Sequence, residues 1–192
     1  MEADLNSFRW IWIAPSIILG LGVTRLLSDA VIVFRSRGRA RLDWVPLGWA
    51  GCIFVWQVQY LWAVIELPNL AQTWTRIDFV LLLGLSLLLF IAAALVLPDS
   101  VLEDGESLSD SFRRDGRWAL LALSGWGCNA LAVNWVMFGL SPLSYEAGLL
   151  TVIIVLPVTF LAISSRRVRE GITILNLVLT LWAAWQFSPK SY

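Results

Sequence analysis

The sequence predicts an all-α membrane protein of six transmembrane helices with both termini on the non-cytoplasmic side, and three observations predict it. The 192-residue chain is 58% hydrophobic, with a mean hydropathy of +0.74 and 15% charged residues, more apolar surface than one soluble core of that size can hide. Its apolar runs approach the ~20 residues that cross a bilayer's hydrocarbon core. Its positive charges crowd into alternate breaks between those runs. No run alternates apolar and polar residues as a membrane β-strand does, so helices are left as the way to keep the backbone hydrogen-bonded in lipid.

The first helix is expected over residues 8–34, opening with Arg9, Trp10 and Trp12 and closing at the basic stretch from Arg35 to Arg41. It is long enough to span while tilted. The second is expected over 44–66, with Pro46 in the first turn, where its missing N–H is tolerated, and Leu67-Pro68-Asn69 as the stop. The third covers 74–97 and stops at Pro98-Asp99, and the fourth covers 118–140, ahead of Ser141-Pro142. The fifth covers 143–164, with Pro157 inside it as a kink. The sixth covers 171–187 and leaves a short tail, so residues 1–192 read as a single six-helix domain.

Orientation follows from the excess of Lys and Arg that short cytoplasmic loops carry. Arg35, Arg37, Arg39, Arg41, Arg113, Arg114, Arg117, Arg166, Arg167 and Arg169 fall on one side, ten of the fourteen basic residues. Arg9, Arg76 and Lys190 fall on the other, and Arg25 is left inside the first helix. The acidic start, Glu2 and Asp4, is the reverse of a secretory signal's basic n-region, so the first helix is read as retained, with its N-terminus outside. This places the protein in the cell's inner membrane as a multi-pass protein. Trp10, Trp12, Trp44, Trp74 and Trp118 sit at expected helix ends, where indole rings favour the headgroup zone.

Several function classes drop out. The absence of histidine removes His-ligated haem, the common zinc sites and Ser-His hydrolases. Zero net charge predicts no bulk attraction to nucleic acid. Gly84-Leu-Ser86 is a bare Gly-x-Ser fragment without a histidine. There is no phosphate-binding glycine loop and no aspartate pair at metal spacing. No catalytic residue, metal or cofactor is therefore expected, and Cys52 and Cys128, inside apolar runs, suggest no disulfide framework.

The informative residues are polar at depth. Arg25 lies roughly 22 Å along the first helix from Trp10, with Asp29 one turn further on the same face, where the two can pair. Two readings stay open: a buried charge that binds a substrate, ion or headgroup, or an Arg that snorkels to the inner headgroups. Asn176, at comparable depth in the sixth helix, is expected as a partner for Arg25. Gln57, Gln59 and Tyr60 on the second helix and Asn129 and Asn134 on the fourth have no solvent reason to be polar. Interhelical hydrogen bonds explain them, as does a polar cavity lined by Gln57, Asn129 and Arg25. Gly20 with Thr24, Gly48 with Cys52 and Ser124 with Cys128 are spaced for close helix approach. The 98–117 segment is expected as a long solvated loop, with pairing of its acidic half to the arginines of the 35–41 stretch as the alternative, and Arg35, Arg37, Arg39 and Arg41 as a site for anionic headgroups.

The combination Leu21-Gly-Val-Thr24-Arg25-Leu-Leu, the following Arg cluster, Trp44-Val-Pro-Leu-Gly-Trp49 and Gln57-Val-Gln59-Tyr60-Leu-Trp62 resembles a family of small, uncharacterised bacterial six-helix membrane proteins. The resemblance implies the fold and supplies no activity. Arg25-Leu-Leu-Ser28-Asp29 is also similar to the Arg-x-x-x-Phe-Ser-Asp signature of six-helix tetrameric potassium channels, with the spacing two residues short and the phenylalanine missing. The expectation is a non-enzymatic small transporter, channel or lipid-binding module around Arg25, Asp29, Gln57, Asn129 and Asn176. The rival is an interaction subunit that docks a partner through its cytoplasmic loops. Its expected partners are membrane lipids, with a second copy or another membrane protein as further candidates and no nucleic acid.

Overall fold

The computed structural model describes residues 2–70, 75–139, 141 and 144–187, and among them there is no strand. Six long helices carry the fold: α1 (Glu2–Arg35), α2 (Trp44–Leu70), α3 (Arg76–Val96), α4 (Leu108–Phe138), α5 (Tyr145–Ala162) and α6 (Arg166–Phe187). Four of them, α1 to α4, are long and apolar enough to cross a membrane. The uninterrupted apolar stretch of α5, Ala147–Ala162, is shorter, and α6 opens on an arginine-rich turn.

Several boundaries differ from the sequence expectation for identifiable reasons. Helix α2 runs through Pro68 to Leu70, because an interior proline near a helix end forfeits little more than the hydrogen bond to the carbonyl four residues back. Helix α4 starts ten residues before Trp118. Ser107 caps it by accepting from the Ser109 N–H at 3.2 Å, and a π turn over Phe112–Gly116 joins its first turn to the long segment from Arg117. Gly116 leaves room for the Phe112 ring, which a Cβ there would strike. The expected 98–117 loop therefore ends at Ser107. Helix α6 starts at Arg166, where an Arg166–Glu170 pair at 2.9 Å braces the first turn. The expected residues Trp74, Leu140 and Leu143 lie outside the described residues, and the side chains of Trp10 and Trp12 are not among those described.

Helices α2, α3, α4, α5 and α6 pack in sequence and close a ring, since α6 returns to α2; α1 lies outside it against α2 and α3. Aromatic rings fill the middle. Trp56 of α2 meets Trp126 of α4 at 4.9 Å, Trp49 of α2 meets Phe160 of α5 edge-on at 5.4 Å, and Phe112 meets Phe160 edge-on at 6.0 Å. The perimeter is apolar, with Ile17, Leu21, Val80, Ile91, Val152 and Val178 among the large side chains turned outward.

Among the described residues, side chains of α2 and α4 reach main-chain carbonyls of neighbouring helices. Tyr60 Oη donates to Leu82 O of α3 at 2.7 Å and Gln59 Nε2 to Ala184 O of α6 at 2.6 Å. Asn129 Nδ2 donates to Leu81 O of α3 at 3.0 Å and Ser124 Oγ to Ile154 O of α5 at 3.1 Å. Such bonds contribute about 0.6 kcal/mol each in membrane proteins, so close packing carries most of the association. Gly22 of α1 faces the Gln57 amide so closely that a Cβ would overlap it, and at Gly84 of α3 a Cβ would stand 2.8 Å from Asn129 Nδ2. The expected Gly20–Thr24 seam is not used. Gly20 faces open space, and Thr24 donates back to the Gly20 carbonyl at 2.8 Å.

The ends of α1, α3 and α5 and the starts of α2, α4 and α6 meet at one charged end. There the 36–43 and 97–107 connections join through main-chain hydrogen bonds: Arg41 N–H to Glu106 O at 3.0 Å, Leu108 N–H to Arg41 O at 3.1 Å, and Gly105 N–H to Arg39 O at 3.3 Å. Gly105 turns the chain at φ +90°. The alternative ion pairing of the acidic half with Arg35, Arg37, Arg39 and Arg41 is not formed among the described residues. Main-chain pairing holds the two loops and leaves those arginines facing outward.

Replacing Gly22 by Ala is expected to destabilise the protein by about 1–3 kcal/mol through overpacking against Gln57. Gly20→Ala, on an open face, is expected to be neutral or slightly stabilising. Thermal unfolding of both variants in the same detergent checks the pair, and equal destabilisation of the two would contradict this packing.

Candidate functional site

The five residues expected to form one intramembrane site occupy three interfaces. Leu19, Gly22, Leu26, Asp29 and Val33 recur at helical spacing as the buried seam of α1. Arg25 stands at the edge of that seam, 40% exposed, with Nε 3.0 Å from Asp29 Oδ2 and Nη2 3.8 Å from Oδ2 of Asp99, just past the end of α3. The expected Arg25–Asp29 pair is therefore present. Its guanidinium reaches toward the charged end and ties α1 to the α3 terminus.

Gln57 lies at the α1–α2–α3 junction against Gly22, fully buried, and neither amide atom has a hydrogen-bond partner among the described residues. Asn129 lies on the far side of α3, its Nδ2 on the Leu81 carbonyl. Asn176 is fully buried on α6 with Thr180, both beside Cys52 of α2. A thiol is a weak donor and acceptor, so the Cys52 sulfur is at most a weak partner for Asn176 and Thr180, and neither makes a well-formed hydrogen bond among the described residues. The expected Arg25–Asn176 bond is thus not formed, since Arg25 is held by two carboxylates while Asn176 faces α2. Gln57, Asn129 and Arg25 do not converge on one cavity: helix α3 separates Asn129 from the α1 seam.

A different cluster does converge. A cleft of about 500 Å³ at the charged end is lined by Arg113 and Arg117 of α4 and by Arg166 and Arg169 of α6, over Phe112 and Phe160. Both phenylalanines are buried. The Arg169 guanidinium lies 5.2 Å from the Phe160 ring centroid, and its Nε donates to Ile163 O at 2.6 Å. Asp43 does two jobs at the rim. Its Oδ1 accepts from the Val45 N–H at 3.1 Å, opening α2, and its Oδ2 stands 3.7 Å from Arg166 Nη2. Glu170 hydrogen-bonds the same arginine, and with the charge of Asp43 it pushes the Arg166 pKa further up. The spacings Arg113-x-x-x-Arg117 and Arg166-x-x-Arg169 were visible in the sequence as one-turn pairs. They gain meaning only once both segments are helical, because a loop does not fix which way such pairs face.

A second cleft of about 530 Å³ opens on the other face of α4, where Asp99, Glu106, Asp110 and Asp115 surround Arg114. No group of His, Cys, Asp or Glu residues suited to holding a metal ion occurs among the described residues. No family model, curated protein or solved structure matches the chain.

The orphaned amide of Gln57 gives a sharp test of its role. Gln57→Leu is expected to raise stability by about 1 kcal/mol or leave it unchanged, because it removes buried polar atoms that have no partner. Chemical or thermal unfolding in detergent measures it, and a marked destabilisation would mean that the amide has a partner in the membrane.

Proposed function

We propose that this is a six-span membrane protein, N-terminus and C-terminus outside, that binds anionic lipid at its charged end and has neither enzymatic nor pore activity. The observation that carries the reading is the division of polarity within the bundle. The axis is packed with Trp49, Trp56, Trp126 and Phe160, the polar side chains between helices are distributed singly or in small groups among separate interfaces, and ten arginines gather at one end. A permeation path needs polar groups in succession along one route, and this arrangement does not provide that succession.

The apolar perimeter supports a bilayer on all sides. Six crossings are supported by the helix lengths: at ~1.5 Å per residue even α5 covers close to 27 Å, near the thickness of the hydrocarbon core. The basic end then faces the cytoplasm of an inner membrane. In this reading Arg25, Asp29, Gln57, Asn129 and Asn176 are packing groups, and the lipid is met by arginines. An interaction subunit is the second reading, favoured by the mixed-charge cleft around Asp99, Glu106, Asp110 and Asp115.

Purified protein in liposomes is expected to pass neither potassium nor protons above the protein-free rate, while retaining anionic over zwitterionic lipid after extraction. Flux that saturates with protein amount would overturn the reading. Orientation is checked with Arg39→Cys in a cysteine-free background. A membrane-impermeant thiol reagent should leave it unlabelled in intact cells and label it after lysis.

A further inference from the structure

We propose that the cleft between the first turns of α4 and α6 binds the phosphate group of a single lipid headgroup. This rests on the lipid-binding reading above and gives it a place and a chemical class. Four guanidinium groups face two carboxylates there. Both carboxylates engage Arg166: Glu170 hydrogen-bonds its Nε, and Asp43 faces its Nη2 while capping α2. Arg113, Arg117 and Arg169 are left with no acidic partner among the described residues.

Three cations held near one another repel, and an anion between them removes the repulsion. Guanidinium forks bond phosphate oxygens bidentately. Arginines reaching in from two helices suit a tetrahedral anion with several oxygens better than a carboxylate with two. The site is also built. The buried rings of Phe112 and Phe160 form an apolar floor beneath the arginines. Arg169 is held in place by the Ile163 carbonyl and the Phe160 face. The π turn of α4, with Gly116 making room for the Phe112 ring, sets that ring in the floor and Arg113 and Arg117 on the wall. A volume of about 500 Å³ suits a small ligand.

The lipid source is indicated by what adjoins the cleft. Leu161 lines it, and Val158, one turn earlier on α5, is exposed on the apolar perimeter. A headgroup seated among the arginines therefore continues into acyl chains along α5.

The test is native mass spectrometry of the protein released from nanodiscs of phosphatidylcholine containing a minority of phosphatidic acid. The wild type is expected to retain one phosphatidic acid per chain. Retention should fall by about tenfold or more in Arg113→Gln/Arg117→Gln, the loss expected for charge-assisted hydrogen bonds. Arg35→Gln/Arg39→Gln removes the same charge from the same end, and because neither residue lines the cleft it should lower retention far less. Equal loss in both double variants would overturn the cleft while sparing lipid binding in general. No retained anionic lipid in the wild type would overturn both. Inorganic phosphate bound by the delipidated protein in detergent, with no lipid retained from nanodiscs, would overturn the lipid source. If the double variant does not fold, Arg113→Gln alone is judged by the same outcomes, since Arg113 is exposed and forms no ion pair among the described residues.

Discussion

Helix α2 has to satisfy three neighbours at once, and the remaining helices are arranged around its solution. Trp49, Ile53, Trp56 and Tyr60 recur at helical spacing and turn one face to the middle of the bundle. Gln57 turns aside to α1, while Cys52 and Gln59 turn to α6. In an apolar surrounding the hydrophobic effect gives helices little reason to associate, so contact depends on fitted surfaces and on polar groups that find partners. The side chains of α2 do both. Its indoles fill the axis, and Tyr60 and Gln59 reach carbonyls on both flanking helices. Helix α4 repeats the device across the ring with Asn129 and Ser124. The fit is imperfect. Gln57 and the indole N–H groups of Trp49, Trp56 and Trp126 are buried without hydrogen-bond partners among the described residues, and each such group lowers stability relative to an apolar residue of the same shape.

Charge is organised on a different principle from the apolar body. The charged end carries most of the acids as well as most of the arginines, and its ion pairs are few and mostly exposed, so they add little stability. The 36–43 and 97–107 connections are instead fastened by main-chain hydrogen bonds. Arg35, Arg39 and Arg41 are exposed and form no ion pair among the described residues. Helix α4 divides the surface: its Arg113 and Arg117 look into a basic cleft, and Asp110 and Asp115 look into an acidic one. In the proposed reading an anionic headgroup meets the first as a counter-ion.

The helical class was legible because runs such as Phe79 to Leu97 admit no other state in lipid, and the Arg25–Asp29 pair because residues four apart share a helix face. The beginnings of α4 and α6 were not legible. Their first turns are polar and arginine-rich, so hydropathy placed them in loops, while the features that extend the helices are a serine cap at Ser107 and an Arg166–Glu170 pair. That boundary error hid the candidate site, because the facing of Arg113 and Arg117 toward Arg166 and Arg169 depends on both segments being helical. Polarity at depth suggested one shared site for Gln57, Asn129 and Asn176. Sequence spacing fixes the face of a helix but not the neighbour it meets, and these residues meet different neighbours.

The central claim, that ligand chemistry lies at the charged end and not inside the bundle, is tested most directly by photo-crosslinking. A phosphatidic acid with a diazirine in its acyl chain near the headgroup would be activated in nanodiscs and its attachment points mapped by peptide mass spectrometry. Attachment is expected around Val158 to Leu161 of α5 and the first turns of α4 and α6. Attachment concentrated on the α1 seam near Gly22 and Gln57, or spread evenly over the perimeter, would contradict it.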